Sequence, residues 1–375
     1  MVTREHLYML MARCYEKSQQ LAGLTFTEAE KNQLRDELVA YAHAIYTLSI
    51  NRVNTENRDY HARMSILLTQ MMTFLVDSHN NPINRELEYV VRKLVTDWNI
   101  NLNTNIILFS HGDYAVLHYN ASVFKVLNQL YRLTFSRQPR IVYFPREYDG
   151  DVLFSSVVFH EVGHMVENDR SLGGKVFDEL IKTIQNPRAT ILKNYFIPDY
   201  DQKALNEDRM RAYIKEYISD LFGAQYLGRN ILHYLNCHDS LIRKKDTSEH
   251  PCYDCRERLV ESFMNYTSVN PNRTTDKFLQ IIIDVFHNEV AIPDLRLRDL
   301  NLSKDNLVRG NNHVLANQQE LFSLFSAAWR ASLSGLSAVE AARGMANGAL
   351  SRYDYYNTIN EATKQSVADY MVINP

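Results

Sequence analysis

His160-Glu161-Val162-Gly163-His164 is the stretch whose residue types and spacing could do chemistry. On an α-helix, residues i and i+4 share a face, so His160 and His164 can aim two imidazole nitrogens at one ion. Glu161, beside them, is then placed to act as general base on a metal-activated water. A chain with 13 His carries such a string by chance now and then, and a surface helix with two unrelated histidines is the alternative. Val158, Val162, Met165 and Val166 argue against it, because they fall opposite the histidines and would bury that side in a core.

Two histidines leave zinc short of the three protein ligands that catalytic sites use, with water in the fourth position. Downstream, Lys215-Glu216-Tyr217-Ile218-Ser219-Asp220 offers Glu216 as the third. Asp220 lies one turn later on the same face, where it can accept a hydrogen bond from the non-ligating nitrogen of a zinc histidine. A solvated pair of acids on a surface helix is the alternative, and the neighbouring Ile218, Leu221, Phe222 and Leu227 favour burial instead.

Taken together, His160-Glu161-x-x-His164 followed by Glu216-x-x-x-Asp220 resembles the gluzincins, zinc metallopeptidases whose third ligand is a glutamate on a second helix. The resemblance covers roughly residues 100 to 260. It implies one Zn2+ per chain on His160, His164 and Glu216, with Glu161 activating water and Asp220 orienting His160. The reaction implied is hydrolysis of a peptide bond in a protein or peptide substrate. His250-Pro251 followed by Arg256 or Arg258 is similar to a His-Pro…Arg element that follows the glutamate helix in some gluzincins, prenyl-protease-like and heat-shock membrane proteases among them. By that likeness His250, Tyr253 or Arg256 would donate a hydrogen bond to the oxyanion as it forms. A helix cap beside solvated arginines is the alternative there.

These side chains need elements to hold them. Gly173-Gly174 reads as the break that ends the His-Glu helix, and about 170–205 as an insertion with one short helix near Val176–Ile184, forming a wall or lid. The glutamate helix reads from near Asn206 to about Leu235, with Glu207 and Asp208 in its first turn and Gly223 and Gly228 allowing close approach to the His-Glu helix. Upstream, Thr27-x-x-Glu30 reads as a capping box, Met64, Leu67, Leu68, Met71, Met72 and Leu75 as an apolar stripe, and Asn81-Pro82 as the start of a helix through Leu87, Val90, Val91 and Leu94. Ile106–Phe109 and Tyr114–Tyr119 look like two strands joined by a tight turn at His111-Gly112-Asp113. Ser122–Leu133 is helix-periodic, and Arg140–Phe144 is a third strand ended by Pro145. A free strand edge before the His-Glu helix could hold an extended peptide.

The expectation is therefore an α+β, predominantly helical protein with a small sheet packed on the His-Glu helix and the glutamate helix. It divides as an N-terminal helical region over about 1–100, a metallopeptidase core over about 101–260 and a C-terminal helical region over about 261–375.

At 375 residues and 45% hydrophobic, the chain can bury a sizeable core in two or three packed units. A net charge of −3 with Lys and Arg scattered gives no reason to expect nucleic acid or an acidic membrane as partner. No apolar run at the N-terminus reads as a signal peptide and no stretch approaches the roughly 18 residues of a membrane span, so a soluble, cytoplasmic protein is expected. Four Cys make no disulfide framework in a chain this long and are expected reduced. Cys252-x-x-Cys255 with Cys237 and His238 is also a candidate structural zinc site. The long helical regions on both sides of the core motivate a different class of function, a binding or regulatory protein that keeps the zinc scaffold without efficient catalysis. A hydrolase of non-peptide amides would share the site.

Overall fold

The computed structural model describes residues 2–47, 55–80, 83–100, 104–111, 115–118, 121–135, 138–145, 150–183, 190–196, 207–233, 235, 250–269, 274–289 and 292–375. It is predominantly helical, and its contacts group into two units: 1–84 with 101–149, and 85–100 with 150–375. The boundary at 149/150 runs through the span read from the sequence as one core.

In the first unit, α1 (Arg4–Ala22), α2 (Ala29–Thr47) and α3 (Thr55–Asn80) pack on one another. Leu7, Met11, Leu34, Leu38, Leu68, Met72 and Leu75, spaced at helical intervals, supply the buried stripe that holds them. The start of α2 is closed by Asn32, which accepts from the Phe26 backbone N–H (3.0 Å) and donates to the Phe26 carbonyl (2.7 Å). Strands β1 (Thr104–His111) and β2 (Ala115–His118) flank β3 (Gln138–Pro145) in the order β1-β3-β2, β1 parallel and β2 antiparallel to the central strand. The two strands on either side of the expected tight turn thus do not pair with each other. The chain returns after helix α5 (Ala121–Tyr131) to lay β3 between them, with Ile107 opposite Ile141 and Leu117 opposite the same residue from the other side. These strands lie in the first unit, β1 against α2 and α3. Gly112 and Asp113 of the turn, and Asn81-Pro82, lie outside the described residues.

The second unit opens with α4 (Arg85–Asp97), whose Leu87, Val90, Val91 and Leu94 are buried. A 3-10 turn (Phe154–Val157) leads into α6 (Val158–Arg170), followed by α7 (Leu172–Thr183), α8 (Thr190–Tyr195) and α9 (Glu207–Leu227). Further on come α10 (Tyr253–Val269), α11 (Lys277–His287), α12 (Asp305–Val308), α13 (Gln318–Ser332), α14 (Leu336–Ala342) and α15 (Arg352–Ile373). Helix α9 is the centre of this unit, touching α6, α7, α10 and α13. Its far side is an aromatic core in which Phe222 packs on Trp98 (ring centroids 4.7 Å apart) and Tyr226 stacks on Phe159 (5.2 Å).

Two boundaries differ from the sequence reading. The His-Glu helix is ended by Ser171 in the left-handed conformation (φ 53°), and Gly173-Gly174 sit inside α7, not at a break. Gly173 is small for a packing reason: a Cβ there would stand 2.8 Å from Glu167 Oε1, which accepts the Gly173 backbone N–H (3.2 Å). The glutamate helix stops at Leu227, short of Leu235, because Gly228 turns left-handed (φ 61°). Asn206, the expected start of that helix, lies outside the described residues. No helix among the described residues is long and apolar enough to cross a membrane.

Candidate metal centre

Helices α6 and α9 press together more closely than ordinary side chains allow. At Gly163 an added Cβ would stand 2.8 Å from both Phe222 Cβ and Ser219 Cα. At Gly223 the tight neighbour is the Ile231 side chain (3.0 Å), and the His160 backbone nitrogen is at an ordinary 3.6 Å, so it is Gly163 that lets the two backbones approach. Gly228 takes no part: its neighbours are Leu300 and Met264. Val158, Val162, Met165 and Val166 anchor α6 from behind, none more than 1% exposed. The side of α6 bearing the histidines is thereby held against the carboxylates of α9.

His160, His164 and Glu216 bring one ligand atom each to within 4.8 Å of one another, the one such group of three or more His, Cys, Asp or Glu among the described residues. His160 Nε2 is 3.6 Å from Glu216 Oε2, and His164 Nε2 is 3.4 Å from Glu216 Oε1. Two donors at about 2.0–2.1 Å from a tetrahedral zinc stand about 3.3–3.4 Å apart. The two spacings run to different oxygens of Glu216, and with one atom per residue the group spans up to 4.8 Å, wider than that separation; the donors, two imidazoles and a carboxylate, are of the type zinc takes in catalytic sites. The two rings stand nearly perpendicular (88°) with centroids 4.8 Å apart. Glu161, the next residue after His160, lies in the first turn of α6 and is 7% exposed.

Behind His160 stands Asp220, fully buried, with its Oδ1 3.0 Å from His160 Nδ1, the nitrogen that faces away from Glu216. Asp220 is gripped in turn by Arg256 on α10: Nε donates to Oδ2 and Nη2 to Oδ1, both at 2.7 Å. The same Nη2 lies 3.6 Å from Glu216 Oε2. One guanidinium thus spans Glu216 and Asp220 of α9, with a bidentate grip that fixes the Asp220 plane.

Burial and charge act oppositely here. Burial alone would push His160 down, but the carboxylates of Asp220 and Glu216 outweigh it and push the imidazole up to about 10. For His164 burial wins, holding it down to about 4 against the pull of Glu216. Burial would raise Glu216, yet His164, His160 and Arg256 together hold its carboxyl well below the usual carboxylate range. Asp220 is held low against burial chiefly by Arg256. The cluster therefore keeps two carboxylates charged around one fixed guanidinium and draws a further positive charge to the His160 side of Glu216.

Of the remaining sequence candidates, His250 lies at the rim, 42% exposed, with Nε2 3.8 Å from Glu216 Oε1. With His164, 19% exposed, it marks the side of the cluster that opens to solvent. Tyr253 begins α10 and its hydroxyl lies 3.5 Å from Glu257 Oε1. Arg256 is only 4% exposed, with Nε and Nη2 turned onto Asp220. Sequence reading named Arg256 and Asp220 separately and missed that they pair; the only signal was an Arg in the turn after a His-Pro. It also missed Gly163. Cys237 and His238 lie outside the described residues, whereas Cys252 and Cys255 are buried and adjacent. No family model matches the chain, and no curated protein and no solved structure matches it.

Proposed function

We propose that the chain is a zinc-dependent metallopeptidase, with His160, His164 and Glu216 holding the ion. The observation that carries this reading is the convergence of two Nε2 atoms on the two oxygens of Glu216 at 3.4 and 3.6 Å, on two helices that meet closely at Gly163. When bound, the ion would lower the pKa of a water and polarise a scissile carbonyl. Glu161 takes the proton of the attacking water and hands it to the leaving amine. Asp220 holds His160 in the tautomer that leaves Nε2 open for the ion, and Arg256 keeps Asp220 ionised and in plane. Arg256 is thus a positioning residue. His250, at the solvent side, is the rim candidate for contact with a developing oxyanion.

The substrate in this reading is a protein or peptide. The test is Glu161→Gln, which keeps shape but removes the base. The variant should retain its metal and lose nearly all cleavage of a peptide mixture; a variant that binds zinc and cleaves at the parent rate would overturn the mechanism. A parent that binds zinc tightly and cleaves no peptide would move the chain to the binding or regulatory class.

A further inference from the structure

Cys252-Tyr253-Asp254-Cys255 is the sequence motif that the proposed catalytic machinery does not use. Its two cysteines flank the first turn of α10, i and i+3, and so share a face of the helix. Their sulfurs are 3.0 Å apart, Cys252 Sγ pointing its proton at Cys255 Sγ. Cys252 is 7% exposed and Cys255 1%, so the pair has an outer and an inner member. A disulfide needs the sulfurs about 1 Å closer, at about 2.05 Å, and the three-residue separation within one turn is of the length a disulfide can close. A structural metal would need further ligands, and Cys237 and His238, the ones the sequence offers, lie outside the described residues.

We infer that Cys252 and Cys255 form a reversible dithiol–disulfide couple, the oxidant being a low-molecular-weight disulfide. The sulfur of Cys252, at the outer position, attacks one sulfur of the small disulfide, forming a mixed disulfide and releasing one small thiol. The sulfur of Cys255 then attacks that of Cys252, forming the intrachain bond and releasing the second small thiol. Two protein thiols give up two electrons, and their two protons leave on the two small thiols. Terminal turns open more readily than helix interiors, which gives the oxidant its access. Cys14, in the first unit, is also buried, and burial pushes its thiol up to about 11. The residue after Cys255 is Arg256, so the couple sits in the same turn as the guanidinium that grips Asp220.

The test uses the full chain, reduced with dithiothreitol, freed of it, and equilibrated in buffers of varied ratio of reduced to oxidised glutathione. Alkylation followed by peptide mass mapping then reads the state of each cysteine. The inference expects the peptide bearing Cys252 and Cys255 to become resistant to alkylation as the buffer grows oxidising, to lose the mass of two hydrogens, and to regain both thiols on reduction. Cys14 stays alkylatable after unfolding at every ratio. Cys252→Ser should abolish the intrachain bond, and Cys255→Ser should stop at the mixed disulfide on Cys252. Full alkylation of both cysteines in the most oxidising buffer would overturn the inference. So would accumulation of glutathione adducts on the parent without ring closure, or protection of the thiols that a chelator removes and a reductant does not.

Discussion

Gly163→Ala places a single methyl group where α6 meets α9. Its Cβ would stand 2.8 Å from Phe222 Cβ and Ser219 Cα, whereas ordinary contact begins at 3.4 Å, so the helices must part by about 0.6 Å or more. Ser219 offers its backbone at that point, which cannot swing aside as a flexible side chain would. Overpacking of this kind costs about 1–3 kcal/mol. Alanine in place of glycine within a helix returns about 1 kcal/mol. The expected net loss is about 0–2 kcal/mol of stability, although Gly→Ala in an open helix position would stabilise. The same parting carries His164 Nε2 from 3.4 Å to about 4 Å from Glu216 Oε1, outside the tolerance of a zinc tetrahedron. Zinc affinity should fall on the order of tenfold or more, the scale on which disturbed ligand orientation weakens metal sites. The assays are denaturant unfolding of the metal-free chain and competition for zinc against a chromogenic chelator. Gly335→Ala is the control, because nothing lies within 4 Å of a Cβ there. A Gly163→Ala protein as stable as the parent, with unchanged zinc affinity, would refute the view that helix contact sets the donor spacing.

Two further outcomes follow from buried polar groups in different parts of the chain. Asp220→Ala removes the carboxylate on which Arg256 rests both Nε and Nη2, at a site 4% exposed, so denaturant unfolding should show a loss of about 3–5 kcal/mol. A loss under 1 kcal/mol would mean that the guanidinium has little need of Asp220. His61, in the first unit, is buried against the Tyr131 hydroxyl (2.7 Å), and burial holds its imidazole below the 6.5 of the unfolded chain. Its contribution is therefore complete above about pH 6.5 and is lost as the pH falls through the lowered folded value, which unfolding midpoints from pH 7 to 5 should record; a His61→Gln variant with the same acid sensitivity as the parent would contradict this assignment.

Local signals in the sequence were read where one helix carries all the information. The i, i+4 histidines, the valines behind them and the Glu216/Asp220 pair each follow from a 3.6-residue period, and Val158, Val162, Met165 and Val166 lie in the core. What escaped depends on partners far along the chain. Gly163 reads as a weak point in a helix until Ser219 and Phe222 are seen against it. Arg256 reads as a solvated cation until α10 brings it 36 residues back onto Asp220. Gly173-Gly174 looks like a break because glycine usually is one, yet Glu167 needs the space and Ser171 takes the left-handed turn instead. The pairing of β1 and β2 through β3 is likewise non-local, decided by where α5 returns the chain and not by the turn between adjacent strands.

Zinc content per chain, measured by elemental analysis on the parent beside Glu216→Ala, tests the central claim most directly. We predict about one zinc in the parent and a clear loss in the variant, whose two imidazoles lack the carboxylate 3.4 and 3.6 Å away. No zinc in the parent, or about one in both, would contradict the three-ligand site.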